Sequence, residues 1–331
     1  MRTATLGHSG VEVTALGFGA ASIAGLYTPV DEQTAAATVE AAWDAGIRYF
    51  DTAPHYGLGL SERRLGAVLR GKPRDDYVVS TKVGRLLEPY DGQGHPRSDL
   101  ASGFAVPAVH RRVWDFSADG VRRSLEDSLT RLGLDRVDVA LLHDPDDHGE
   151  QAFREAYPAL ERLRDEGVVR AIGAGMNQTE MLTRFLTDTD VDTVLCAGRY
   201  TLLEQPALDT LLPAAAARGK SVIIGGVFNS GLLAAPRAGA TYNYSLAPVH
   251  LLEKALSMHK VTEALGVPLR AAALRFPFGH PAVASVLTGP RSAEEVRDTV
   301  ALLSTPVAAE VWQRLRAEDL LPPLIPVPEV T

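Results

Sequence analysis

Short apolar runs alternate with longer amphipathic ones along almost the whole chain, and this alternation limits the available folds more than any other feature. The apolar runs are TALGFGA, YFDTA, YVVSTKV, VDVALLHD, VRAIGAG, VDTVLCAG, SVIIGGV and VASVLTG. They are too continuously apolar for a strand with one wet face, and suit a parallel sheet covered by helices. In the stretch EQTAAATVEAAWDAG between two of them, Ala35, Val39, Ala42 and Trp43 share a helical face and Gly46 supplies the stop. Repeated eight times, the strand and helix unit predicts a closed (β/α)8 TIM barrel ahead of an open doubly wound sheet. Glycine spacing agrees, because neither LGFGAAS nor IGAGMNQ makes the GxGxxG turn of a dinucleotide-binding sheet. A length of 331 residues fits one barrel domain over 1–331 with insertions.

Three segments lie outside the repeat. Met1 to Val13 reads as an amino-terminal hairpin turning at His8-Ser9-Gly10, and the tail LLPPLIPVPEVT is too rich in proline for a helix, so it is expected as an extended strap. Long loops follow the third strand (Arg85 to Phe116) and the seventh (Phe228 to Pro248). Both leave strand carboxyl ends, the face on which barrel enzymes place their sites. The first carries His110, Trp114 and Phe116 and the second Asn229, Tyr242 and Tyr244, groups able to close over a ligand.

A formal charge of -8 speaks against a nucleic-acid partner, which calls for a basic face. The lone cysteine, Cys196, cannot form an internal disulfide, and no apolar run has secretory or membrane-spanning length. A cytoplasmic protein is expected, without a membrane partner and working as a monomer or weak homo-oligomer.

Four polar residues end three neighbouring apolar strands. Asp51 closes the second, Lys82 the third and His143 the fourth, while Tyr56 lies on the loop behind Asp51. A phenol is a poor base near neutrality unless a cation stabilises its phenolate, and Lys82 is that cation. A buried lysine in turn needs a carboxylate, which gives Asp51 its part, and His143 is placed to orient a substrate oxygen. Each has a bland reading, as a loop cap, a packing ring or a snorkelling amine. Four such groups on one face carry a desolvation cost that proton transfer explains jointly. HDPDDH, residues 143–148, raises a metal-hydrolase alternative, but the other strands supply no histidine, so no metal is expected. A Schiff-base role for Lys82 is disfavoured by the adjoining carboxylate.

YFDTAPHYGLGLSERRLG, VVSTKVGR and LLHDPD resemble the aldo-keto reductase superfamily, and WDFSADGVRRSLEDSLTRLGLDRVDV, AIGAGMNQ, AGRYTLLEQ and FNSGLL resemble its branch of aldose and pyridoxal dehydrogenases. The resemblance covers nearly the whole chain. It implies NAD or NADP bound without a Rossmann fold, Tyr56 as general acid and base tuned by Lys82 and Asp51, and His143 orienting the reacting oxygen. It further implies oxidation of an aldose of the L-fucose, D-arabinose or L-galactose type at C1 to the aldonolactone. Pyridoxal 4-dehydrogenation, general aldehyde or ketone reduction and a non-catalytic nucleotide-binding regulatory module are the alternatives.

The resemblance also assigns binding positions. Asn177 would meet the nicotinamide carboxamide, although Asn177 to Glu180 also reads as a helix capping box. Arg199, Tyr200, Gly226, Phe228, Ser230 and Gly289 are further cofactor candidates, and His55, Trp114 and Asn229 are substrate candidates. The chain departs from the family in carrying Met176, Ala197 and Gly225 where a serine, a glutamine and a stacking tyrosine are usual. In TGPRSAEEV, residues 288–296, Arg291 would reach the adenosine end, and Glu295 would repel a 2′-phosphate and accept a ribose hydroxyl, so NAD is expected over NADP. Ser292 to Glu295 is itself a capping box, which competes with that reading.

Overall fold

The computed structural model describes residues 1–90, 97–243 and 245–329. Eight parallel strands close into a barrel in chain order: β1 Leu16–Gly19, β2 Tyr49–Asp51, β3 Val78–Val83, β4 Val139–His143, β5 Ala171–Met176, β6 Thr193–Ala197, β7 Ser221–Gly225 and β8 Val283–Thr288. The TIM-barrel expectation therefore holds. Helices cover the outside, among them Glu32–Asp44, which starts where the Asp31 carboxylate accepts from the Thr34 amide at 2.7 Å. It ends just before Gly46, whose φ of 83° stops further winding.

Strand alternation divides the apolar side chains into two layers. Tyr49, Val78, Val139, Leu141, Leu195, Ile223 and Leu287 fill the barrel interior, whereas Phe50, Val79, Ala140 and Leu142 face the helices. Tyr49 fits inside because its neighbour on β1 is Gly17, where a Cβ would lie 2.7 Å from the tyrosine ring. The parity that sends Tyr49, Val78 and Leu141 inward also sends Asp51, Lys82 and His143 inward, one or two steps nearer the carboxyl end.

The hairpin, Thr3–Thr5 against Glu12–Thr14, plugs the amino-terminal mouth with Leu6, Val11 and Val13. Ser221 Oγ ties it to β7 by donating to the Thr5 carbonyl at 3.0 Å. Through Glu329 the tail runs without helix, and Val327 packs so closely on Gly279 that a Cβ there would sit 2.7 Å from its backbone.

The insertion after β3 is more regular than a loop. Arg85–Pro89 pairs with His110–Trp114 in an antiparallel ribbon, with Arg85 opposite Trp114 and Leu87 opposite Arg112. After β7 the described residues form a two-residue ladder, Thr241–Tyr242 with Ser245–Leu246. Tyr244 lies outside the described residues.

Candidate active site

Asp51, Lys82 and His143 meet at the carboxyl-terminal mouth of the barrel. Lys82 Nζ donates to Asp51 Oδ2 at 2.7 Å and to the Thr52 carbonyl at 3.0 Å, and Ser80 Oγ donates to Asp51 Oδ1 at 2.7 Å. Lys82 is 2% exposed and Asp51 3%, so neither charge is shared with bulk water. The lysine stem has room because β5 offers Gly175, whose Cβ would stand 3.5 Å from Lys82 Cε. Burial works against the ammonium, but Asp51 and a hydrogen bond with Tyr56 outweigh it and hold the Lys82 pKa above its usual value. The same Nζ lies 4.8 Å from the centre of the Tyr56 ring.

His143 completes the group, with its ring 5.8 Å from that of Tyr56 and nearly perpendicular to it. Burial first, then the nearby charges of Arg85 and Lys82, push its pKa well below 6.5, so the imidazole is neutral at working pH. Its Nδ1 is buried and has no hydrogen-bond partner among the described residues. A buried polar atom left unpaired costs stability and calls for an explanation such as a ligand role.

Several neighbours were not singled out from sequence. Arg85, directly beyond β3, pairs with Asp144 and lies 5.4 Å from the Trp114 ring, while Trp114 itself is 44% exposed at the rim. Arg112 bonds to both the ring and the carbonyl of His55 and forms a two-pronged ion pair with Asp99. The available signals were weak: a basic residue just past VVSTKV and an Arg-Arg pair inside an insertion. Within HDPDDH, Asp144 serves Arg85 and Asp146–His148 forms one turn of 3-10 helix. Among the described residues no three His, Cys, Asp or Glu side chains converge as a metal site would require.

The remaining candidates lie along the carboxyl ends of β5 to β8. Asn177 precedes the helix Thr179–Asp188, but Gln178 stands at the cap position and no side chain caps that helix. Arg199 Nη1 bonds to the Gly198 carbonyl at 3.2 Å and to Asn243 Oδ1 at 3.3 Å, bridging the loops after β6 and β7. Tyr200 turns away from the mouth: it is fully buried against Phe276 and His280, and burial pushes its phenol pKa up. Phe228 is half-buried against the outer core. Asn229 and Ser230 both adopt left-handed backbone, at φ 48° and 57°, a conformation that non-glycine residues hold only when the surroundings enforce it. Asn229 is 4% exposed, and both its amide atoms lack a hydrogen-bond partner among the described residues.

Past β8, Ser22 Oγ donates to the Gly289 carbonyl at 2.6 Å, and a Cβ on Gly289 would lie 2.5 Å from that oxygen. Glu295 takes part in the capping arrangement: its amide donates to Ser292 Oγ at 3.2 Å and its carboxylate accepts from the Arg291 amide at 2.8 Å. Arg291 Nη2 is 3.5 Å from the same carboxylate. The departures from the family pattern are neighbours in space, since Cys196 pairs in register with Met176, and Ala197 with Gly225. They leave small or apolar side chains along the wall formed by β5, β6 and β7.

This geometry can move a proton to or from an oxygen held between Tyr56 and His143. Comparisons with known proteins agree on its kind. The aldo/keto reductase family model matches residues 15–319. A D-threo-aldose 1-dehydrogenase from Pseudomonas sp is 44% identical over 95% of this chain and 96% of its own. A pyridoxal 4-dehydrogenase from Microbacterium luteolum is 41% identical over 96% of this chain and 97% of its own. Among solved structures, an aldo-keto reductase from Bacillus halodurans in its holo form superposes with a TM-score of 0.75 at 28% identity, covering 97% of this chain and 96% of its own. With a barrel of this topology and the buried Asp51–Lys82 pair beside Tyr56, these matches establish that the chain belongs to the aldo/keto reductase family and is an NAD(P)-dependent oxidoreductase.

Proposed function

We propose that the protein oxidises a free aldose at C1 to the aldonolactone, with Tyr56 as the proton acceptor. The observation that carries this reading is the buried Lys82 ammonium, locked to Asp51 at 2.7 Å and set beside Tyr56. Because Asp51 keeps the lysine charged, the ammonium stabilises a phenolate at Tyr56 and makes that oxygen a usable base near neutrality. The neutral imidazole of His143 orients the anomeric hydroxyl toward the phenolate. The D-threo-aldose 1-dehydrogenase relative from Pseudomonas sp supports the substrate class.

The far wall fits a nicotinamide dinucleotide. The close Ser22–Gly289 contact and the left-handed turn at Asn229 and Ser230 bring backbone to the mouth just past β8 and β7, as dinucleotide binding needs. Asn177, Arg199, Gly226, Phe228, Ser230 and Gly289 would hold it, with Arg291 at the adenosine end. When bound, it supplies the hydride acceptor. Glu295 places a carboxylate beside Arg291 at the start of the helix Ala293–Ser304, which favours a bare ribose over a 2′-phosphate and hence NAD.

The test is the rate of NADH formation at mildly alkaline pH against L-fucose, D-arabinose, L-galactose, L-xylose and pyridoxal. Saturable turnover of at least one sugar supports the reading. A response to pyridoxal alone would move the substrate class to that of the second relative, the pyridoxal 4-dehydrogenase.

A further inference from the structure

Behind Tyr56 lies a second, separately braced group. Arg112 Nη1 and Nη2 contact the two carboxylate oxygens of Asp99 at 2.7 and 2.5 Å, and Nη1 also reaches Ser102 Oγ at 3.1 Å. The Arg112 and Asp99 side chains are 9% and 7% exposed, so this is a pair built into the structure. Arg112 then spends its remaining donors on His55: Nε on the ring Nδ1, and Nη2 on the carbonyl at 2.9 Å.

A guanidinium has donors only. The Nδ1 of His55 must therefore accept, and its single proton resides on Nε2. Burial, followed by the charges of Arg112, Arg85 and Lys82, lowers the His55 pKa to about 2, so a second proton does not bind at working pH. The half-buried ring stands 6.0 Å from the Tyr56 ring and 5.6 Å from that of His143, with Phe104 at 5.5 Å behind it. With Nδ1 engaged by Arg112, Nε2 is the ring atom left to meet a ligand.

We infer that Arg112, braced by Asp99, is a positioning residue that sets His55 as a neutral Nε2–H donor to a second substrate oxygen, next to the oxygen that reacts between Tyr56 and His143. This rests on the proposed oxidation of an alcohol at that place. The ligand chemistry is a neutral, polyhydroxylated molecule whose ring oxygen or adjacent hydroxyl offers a lone pair. A cationic imidazole would be repelled by Lys82 and Arg85, and a ring turned over would present an acceptor in place of a donor.

Replacing Arg112 alone would strand a buried carboxylate, so the test uses Arg112→Met/Asp99→Asn together, His55→Phe, and the combination of all three changes. Each of the first two is expected to lower kcat/KM about 10-fold, the worth of one hydrogen bond to a neutral group, mainly through KM. The triple variant should be no worse than the poorer parent, because groups acting through one contact are not additive. Losses that multiply would overturn the inference.

A second arm needs no turnover. The imidazole nitrogens of His55, followed by NMR in the full chain, should show an unprotonated Nδ1 and no titration between pH 5 and 9, in the field of Arg112, Arg85, Lys82, His143, Asp99 and Tyr56. A wild-type His55 protonated on Nδ1, or titrating near 6.5, would also overturn it. If no sugar were oxidised, the functional reading would fail while this spectrum still judged His55.

Discussion

Lys82 and Asp51 form a direct ion pair, 2.7 Å from nitrogen to oxygen, above a barrel interior filled by Tyr49, Val78, Leu141 and Leu195. A pair so deeply buried is a poor device for stability, because well-packed apolar residues of similar volume often do as well. Its value lies in keeping a cation against the phenol of Tyr56.

Tyr56→Phe keeps most of the packing and removes the proposed proton acceptor. Turnover is expected to fall about 100-fold or more while cofactor binding is retained. Steady-state rates and a titration of the bound dinucleotide by fluorescence check both halves. Near-normal turnover would hand the base role to another group.

Asp51→Asn leaves the Lys82 charge without its counter-ion and should cost about 3–5 kcal/mol of stability. Adding Lys82→Met should restore most of that loss and leave the protein inactive. Urea unfolding separates the two effects, and a double variant that remained as unstable as the single one would contradict this account.

His143 and His55 have pKa values below the ordinary 6.5 in the folded state, the latter at about 2. When a histidine is depressed on folding, its stability contribution is complete above the unfolded value and shrinks as pH falls toward the folded one. His55 should therefore remove about 2 kcal/mol between pH 7.5 and 5, and His143 should add to that loss in the same direction, since the unfolded chain binds a proton the folded chain refuses. His143→Asn should flatten that decline measurably. An acid dependence identical to the wild type would rule out a neutral, buried His143.

Catalytic efficiency should be higher with NAD than with NADP. Glu295→Gln keeps an acceptor for the Arg291 amide yet removes the carboxylate charge, so it should narrow the gap about 3- to 10-fold, the effect of one partly screened charge. Initial rates with both cofactors decide, and a wild type preferring NADP would remove the argument from Glu295.

What the sequence disclosed about this site follows from the range of each signal. Asp51, Lys82 and His143 were legible because a polar residue ending an apolar strand is a local anomaly, and strand parity puts all three inside. Arg85, Arg112 and Asp99 were not legible, since their roles depend on an antiparallel ribbon whose register is set by contacts across the insertion. Tyr200 looked suited to the mouth, but the backbone after β6 directs it onto Phe276, where packing claims the ring. At Glu295 the capping geometry competing with a ligand role is present in the structure. The proline-rich tail read correctly as an unwound segment, since proline excludes helix wherever the chain goes next.

The ribbon Arg85–Pro89 and His110–Trp114 has two anchors, one to each imidazole: Arg85 through Asp144 beside His143, and Arg112 at His55. A ligand bulky enough to pry it upward would drag on both rings at once and spoil the alignment it had come to use. Selection by size then acts on the chemical step as well as on entry. On the opposite wall the described residues after β7 are tied to the loop after β6, through Asn243 to Arg199 and Tyr242 to Glu204, and to neither imidazole, so new specificities are more readily gained there.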